Sequence, residues 1–346
     1  MDGVLHDDLL HPELFRGAGT RGADRAFQRA DQQLTEAPHH RVAGSARILL
    51  IGHVTRDIIR VPGRRDREQP GGSVYYAGMA LCGLGHQVTI LTRIASRDEA
   101  LLLADLRRAG ARVENLPSAR TACFVNAQGP GGIDDRVQEM RAEADPFGAA
   151  LLQAVQGLSC DAVYFGSLLA GDLDAALILR IAECFPRAIK LFDAQGPLRV
   201  RHDTHVMPCV WPDGRQVLSV CDIVKADQEE SLRLTGARTA AAAAARLADL
   251  GVAQVLITRG GQGALLRSGG RSRRLAAWRP RSGVCAIVDT TGCGDTFLAA
   301  YLHAVLSGRP PQAAAQFAAI AATMKLTRFG PLCCGENDIV AFAAQP

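Results

Sequence analysis

Only three lysines occur in 346 residues, Lys190, Lys225 and Lys325, and none stands between a glycine and a serine or threonine. The phosphate loop built on Gly-Lys-Ser/Thr is thereby excluded. The GxGxxG dinucleotide fingerprint is missing too, because Gly292 and Gly294 are followed by Phe297 where its third glycine belongs. No window of about twenty residues is free of charged and polar breaks, so no membrane span is expected. Aromatic residues make up 5% and are not interleaved with blocks of Lys or Arg, and the net charge of +4 is spread along the chain. A nucleic-acid partner is therefore not expected. Ten cysteines form no CxxC pair and no Cys/His set at zinc spacing, and the adjacent Cys333 and Cys334 read as packing. A reduced, cytoplasmic protein is the expectation. Residues 1–45 lack an apolar leader core, and Asp7, Asp8, Glu13, Asp24, Asp31 and Glu36 interrupt any acid-poor transit segment. They read as a loosely ordered N-terminal extension.

What is present is a globular composition, 48% hydrophobic and 21% charged, in a chain long enough for one large α/β unit or two smaller ones. Short β-rich runs (RILLIG, QVTILTRI, DAVYFGSL, AIKLFDAQ, DIVKAD, QVLITRG) alternate with helical patterns such as RDEALLLADLRRAG and DLDAALILRIAECF. This alternation predicts an α/β fold with a mostly parallel central sheet, helices on both faces, and ligands beyond the carboxyl ends of the strands. Residues 57–72 and 121–143 are richer in Pro, Gly and charge and predict a small β lid. The alanine run in TAAAAAARLADLG reads as a packed amphipathic helix.

The most informative stretch is DTTGCGDTFLAAYL, which begins at Asp289. Its glycines let the backbone turn tightly so that N–H groups converge, and the helix that follows adds its positive end, which makes an anion hole. Asp295 falls in the first helical turn beside that hole. There a carboxylate either accepts a proton from a hydroxyl attacking a bound phosphate or merely caps the helix.

This stretch resembles the carboxyl-terminal signature of the PfkB (ribokinase-like) family of carbohydrate kinases. PGGSVYYAGMALCGLG resembles that family's amino-terminal Gly-Gly signature, DIVKADQEESLRLTG its acidic magnesium-associated segment, and LITRGGQGALL its Thr-x-Gly-x-x-Gly nucleotide loop. The four pieces stand in the family's order over roughly residues 46–340. The resemblance implies a ribokinase-like three-layer α/β/α domain over 46–346, with lid segments near 57–72 and 118–143. It also implies transfer of the ATP γ-phosphoryl group to a hydroxyl.

By position, Asp295 matches the catalytic base, and the amides of Gly292, Cys293 and Gly294 would hold the phosphoryl oxygens. Thr258, Gly260 and Gly263 match ATP phosphate and ribose contacts, and FAAIAATMKLTRFG (317–330) matches the segment that walls the adenine. Glu230 matches the glutamate that places Mg²⁺ through water, with Asp227 where asparagine is usual. Asp289 matches a position beside a monovalent cation such as K⁺. Asp57 matches the carboxylate that hydrogen-bonds substrate hydroxyls, Gly71 and Gly72 admit the substrate to the backbone, and Tyr76 replaces the usual asparagine. Asp193 and Gln195 end a strand on the same side. The family leaves room for a homodimer.

Ser73 occupies the position that is lysine in members acting on sugar phosphates, which points to an uncharged sugar or polyol. GGSVYY and FDAQGPLR look most like the branch that includes inositol kinases, so a cyclitol is favoured. The alternatives are a nucleoside stacked on Tyr75 or Tyr76, and, from a different class, a binding protein without catalysis.

Overall fold

The computed structural model describes residues 45–60, 63, 65–129, 132–280 and 287–344, so all but the last residue of the expected extension 1–45 lies outside the described residues. In chain order the first strands are β1 (Arg47–Ile51), β2 (Thr55–Arg60), β3 (Arg67–Gly71), β4 (Gln87–Thr92), β5 (Arg112–Asn115), β6 (Cys123–Gly129), β7 (Gly132–Ala142) and β8 (Ala162–Phe165). There follow β9 (Ile189–Asp193), β10 (Arg199–His202), β11 (His205–Pro208), β12 (Ile223–Asp227), β13 (Gln254–Thr258), β14 (Ala264–Ser268) and β15 (Arg271–Leu275).

The large sheet has the order β15-β14-β13-β12-β9-β8-β1-β4-β5. Its strands from β13 to β5 are parallel, and β14 and β15 add an antiparallel edge. Side-chain alternation builds the layers on its two faces. Ile48 and Leu50 of β1 join one apolar cluster, with Leu191, Ile223 and Leu256 from neighbouring strands, and that cluster is covered by the helices Ser73–Gly83, Cys293–Leu306 and Pro311–Leu326. Leu49 and Ile51 face the other way, with Phe192, Val224 and Val255, under the helices Ala175–Cys184 and Ala240–Asp249. This is the three-layer ribokinase-like arrangement. No described helix is long and apolar enough to cross a membrane.

The lid is larger than the sequence indicates. It is a six-stranded sheet, β10-β11-β7-β6-β2-β3, in which the segments near 57–72 and 118–143 supply four strands. The other two form the β10–β11 hairpin, turning at Asp203, which holds φ 54. Its sequence RVRHDTHVMP carries too little apolar alternation to read as a strand pair. Two helices also differ in extent. The RDEALLLADLRRAG pattern is interrupted at Leu103 between Glu99–Leu102 and Ala104–Arg108. The 317–330 segment belongs to a helix that starts at Pro311 and stops at Leu326.

Candidate active site

The turn at 289–295 leads from the strand-side loops into the Cys293–Leu306 helix. Asp289 fixes its entrance, because Oδ1 accepts the Thr291 N–H at 2.9 Å. Gly292 is the N-cap at φ 77, a conformation that side chains avoid, and a Cβ there would run into the Tyr76 ring. A Cβ on Gly294 would lie 3.1 Å from Lys225 Nζ. The helix has no side-chain cap hydrogen bond. Asp295 is therefore not a capping residue, and its side chain lines a cavity instead.

That cavity, about 150 Å³, is mostly polar. Asp57 and Thr55 of β2, Gln138 of β7 and Arg199 of β10 bring the lid to it, while Lys225, Gln195 and Asp295 bring the large sheet and the turn. Asp57 is buried, and its carboxylate accepts from Thr55 Oγ1 at 2.6 Å and from Asn126 Nδ2 at 3.3 Å. A Cβ on Gly71 would collide with that carboxylate, so this glycine serves Asp57 rather than lining the cavity. Gly72 lines it, at φ 93 and against the His53 carbonyl. Tyr76 forms a wall, its hydroxyl accepting from Gln69 Nε2 at 3.1 Å. Burial, with the nearby Asp57 carboxylate, pushes the Tyr76 phenol well above its usual range. Tyr75 turns into the core and donates to Asp105 at 3.1 Å, so it offers no face for a stacked base.

Two cations at this cavity were missed by sequence reasoning. Register places Lys225 of β12 beside Asp193 of β9, with Nζ at 3.0 and 3.2 Å from the carboxylate oxygens and both side chains buried. Burial pulls the Lys225 pKa down, but Asp193, Glu230 and Asp295 outweigh it and hold the ammonium above its ordinary value. A lysine inside a strand covered on both faces must find a partner, and that was the available signal. Arg199 donates to Gln138 Oε1 at 3.2 Å and stands 3.6 Å from the Glu230 carboxylate. The absence of lysine at Ser73 therefore does not leave the cavity without positive charge.

A second cavity, about 540 Å³, lies on the other side of the turn and shares Thr290 and Gly294 with the first. Thr258, Gly260, Gly263 and Cys293 line its mouth, and Trp278, Ile287, Ala319, Ala322 and Leu326 line its apolar part. Gly263 sits at φ 90, and a Cβ there would run into the Leu275 carbonyl of β15. Of the 317–330 segment, Ala319, Ala322, Thr323 and Leu326 line this cavity.

Asp227 and Glu230 line neither cavity. They form a reciprocal capping box on the Gln228–Thr235 helix, in which each side chain accepts the other's backbone N–H at 2.7 Å. Glu230 Oε1 is buried and accepts no hydrogen bond, but it is paired with the Arg199 guanidinium at 3.6 Å, so a hydrated Mg²⁺ would share this carboxylate oxygen with that cation. Among the described residues no group of three His, Cys, Asp or Glu could hold a metal by itself. At Asp289, the position expected beside a monovalent cation, Lys325 Nζ lies 3.1 Å from Oδ2 and 3.1 Å from the carbonyl oxygen.

Comparisons with known proteins place the chain in a family. Residues 45–336 match the pfkB family carbohydrate kinases. Ribokinase of Arabidopsis thaliana is 36% identical over 118 residues, 33% of this chain and 30% of that protein. Cytidine kinase of Thermococcus kodakarensis is 36% identical over 97 residues, 28% of this chain and 34% of that protein. The chain thus spans about a third of the length of these curated relatives. Among solved structures, a pyrophosphate-dependent kinase in the ribokinase family, complexed with a pyrophosphate analogue and myo-inositol, superimposes with a TM-score of 0.73. It is 26% identical, and the match covers 85% of this chain and 99% of that one. Arabidopsis thaliana ribokinase complexed with ribose and ATP matches at a TM-score of 0.67 and 19% identity, over 87% of this chain and 100% of that one, a likeness of fold.

Proposed function

This chain belongs to the pfkB family of carbohydrate kinases, and from that premise we propose that it transfers the γ-phosphoryl group of ATP to a hydroxyl of a small uncharged polyol, with a cyclitol such as inositol favoured. The observation that carries this reading is the pair of cavities meeting at Thr290 and Gly294, with Asp295 on the side of the smaller one. Two ligands bound there would face each other across the turn whose amides and helix end stabilise transferring negative charge.

The small cavity takes the acceptor. Asp57 accepts hydrogen bonds from its hydroxyls, as do Gln138 and Gln195 through their amide oxygens. Asp295 takes the proton of the attacking hydroxyl as the new P–O bond forms and the bond to the ADP leaving oxygen breaks. The amides of Gly292, Cys293 and Gly294 and the Lys225 ammonium neutralise the charge on the phosphoryl oxygens. A donor-borne Mg²⁺, held through water by Glu230 with Asp227 positioning that side chain, would add further charge neutralisation.

Three features support the substrate reading. A cavity of about 150 Å³ suits one ring of hydroxyls better than a nucleoside. Tyr75 faces the core, so one of the two stacking candidates is gone. A structural relative at 26% identity carries myo-inositol. The same relative is pyrophosphate-dependent, which makes pyrophosphate the second reading for the donor. The apolar pocket formed by Trp278, Ile287, Ala319, Ala322 and Leu326 favours ATP, because pyrophosphate has no group to fill it.

A panel of inositols, pentoses, hexoses, sugar phosphates and nucleosides, each offered with ATP and with pyrophosphate, tests both halves. The highest kcat/KM is expected with ATP and a cyclitol or uncharged sugar, and rejection of analogues lacking a recognised hydroxyl by roughly 10⁴-fold. A lead by fructose 6-phosphate would overturn the acceptor reading and assign Arg199 to substrate phosphate. A lead by pyrophosphate would overturn the donor reading. Ligand binding without any transfer would make the chain a binding protein.

A further inference from the structure

Lys325 is fully buried at the end of the Pro311–Leu326 helix, and its ammonium meets three oxygens: Asp289 Oδ2 at 3.1 Å, the Asp289 carbonyl at 3.1 Å and the Arg328 carbonyl at 3.3 Å. Its three N–H donors are matched by these three acceptors. The Tyr76 ring centroid lies 5.9 Å away on the cavity side. Asp289 in turn holds the Thr291 N–H, and the Leu326 carbonyl accepts the N–H of Val288 at 2.8 Å and of Asp289 at 3.3 Å. One ammonium thus clamps the start of the anion-hole turn to the helix that walls the large cavity.

A small monovalent metal ion at Asp289 would need the same carboxylate and carbonyl oxygens. It would also lie against the buried ammonium, where two like charges at contact distance repel strongly in a poorly screened interior. The residues present therefore do not fit such an ion. We infer that Lys325 is a cation tethered to the chain, a positioning residue that holds Asp289 and so the amides of residues 291–294 in the shape that receives the transferring phosphoryl group, and that it makes this protein indifferent to K⁺ and Na⁺. The catalytic half of this inference rests on the phosphotransfer reading above. The cation half stands on the contacts of Lys325 alone.

Two readouts separate them. The first is turnover and melting temperature of the full chain in KCl, NaCl, NH₄Cl and tetramethylammonium chloride at equal ionic strength. Tetramethylammonium serves as the control because it is too large for the site. The wild-type protein is expected to vary less than about twofold in kcat across these salts, with the same melting temperature in each. Activation of the wild type by K⁺ of about tenfold or more, or a melting temperature that rises specifically with K⁺, would overturn the proposal.

The second readout compares Lys325→Ala, which opens a space beside Asp289, with Lys325→Met, which keeps the volume and removes the charge. Both are expected to lose kcat by about 10²-fold, the scale on which small misplacements of reacting groups act, with a much smaller change in the acceptor KM. K⁺ or NH₄⁺, and not tetramethylammonium, should then restore kcat and raise the melting temperature of Lys325→Ala but not of Lys325→Met. Equal kcat in Lys325→Ala and wild type in tetramethylammonium chloride would remove the positioning role. If Lys325→Ala folds only in K⁺ or NH₄⁺, the cation site is confirmed by folding itself. If it folds in none of the salts, the wild-type comparison decides. Should the wild type transfer phosphate from no donor, the phosphotransfer reading fails, and the salt dependence of melting still reports on Lys325.

Discussion

Asp295 and Gly292 show how much a single residue carries in this turn. Asp295 lines the small cavity from the first turn of its helix, and the proposed reaction uses it as the base. Asp295→Asn keeps the shape and removes the basicity. kcat is expected to fall by on the order of 10²- to 10⁴-fold, with donor affinity within a few-fold. Turnover near wild type in the folded variant would withdraw Asp295 as the base. Gly292→Ala faces two obstacles, the φ of 77 and the Tyr76 ring against which any Cβ would press. A loss of about 2 kcal/mol or more is expected from the left-handed strain and the clash together, read as a lower urea midpoint, and activity should fall with it. A variant with unchanged midpoint would mean that Tyr76 can move aside, and the close packing of the turn would need revising.

At the scale of elements, the Pro311–Leu326 helix does two things at once. Ala319, Ala322 and Leu326 face the large cavity, while Lys325, on another side, ties down the turn. Its small residues make room on one side only. Ala322→Phe should raise the KM for ATP about tenfold or more and leave the acceptor KM unchanged, because the two cavities meet only at the turn. The same variant should leave a pyrophosphate-driven reaction unaffected, so a parallel measurement with both donors reports which one uses the apolar pocket. An unchanged ATP KM would remove this helix from the donor site.

At the scale of the whole molecule, a part-buried relay joins four separate positions of the chain. The Ala46 N–H donates to His86 Nδ1 at 3.2 Å, which leaves the hydrogen on Nε2. That nitrogen then donates to His303 Nδ1 at 2.9 Å, and His303 Nε2 donates to Glu336 Oε2 at 2.9 Å. Both rings are neutral in this arrangement. Burial, and then His303, pulls the His86 pKa down to about 4. Burial lowers His303 as well. An unfolded histidine binds its proton near 6.5, so between about 6.5 and 4 the unfolded chain holds more protons than the folded one. This contribution to stability is complete above about pH 6.5 and is lost as pH falls toward 4. The melting temperature should drop by several degrees between pH 7.5 and 5. His86→Gln should lower it at pH 7.5 but flatten its slope with pH. A variant whose slope matches the wild type would show that the relay is not what titrates.

By itself the sequence determined the layered fold, the tight glycine turn before the Cys293–Leu306 helix, the place of Asp295 in that helix's first turn and most of the second sheet. These are encoded locally, in strands of alternating or continuous apolar residues, in glycines whose positive φ marks a turn, and in a small-residue helix face. What only the tertiary structure decided are the charges that meet across the fold. Lys225 reaches Asp193 through strand register, Arg199 arrives on a hairpin with little apolar signal, and Lys325 reaches Asp289 over a separation of 36 residues. Each is a pairing of ions taken out of water, and which carboxylate neutralises which ammonium depends on where packed elements bring them, a distance that no local pattern encodes.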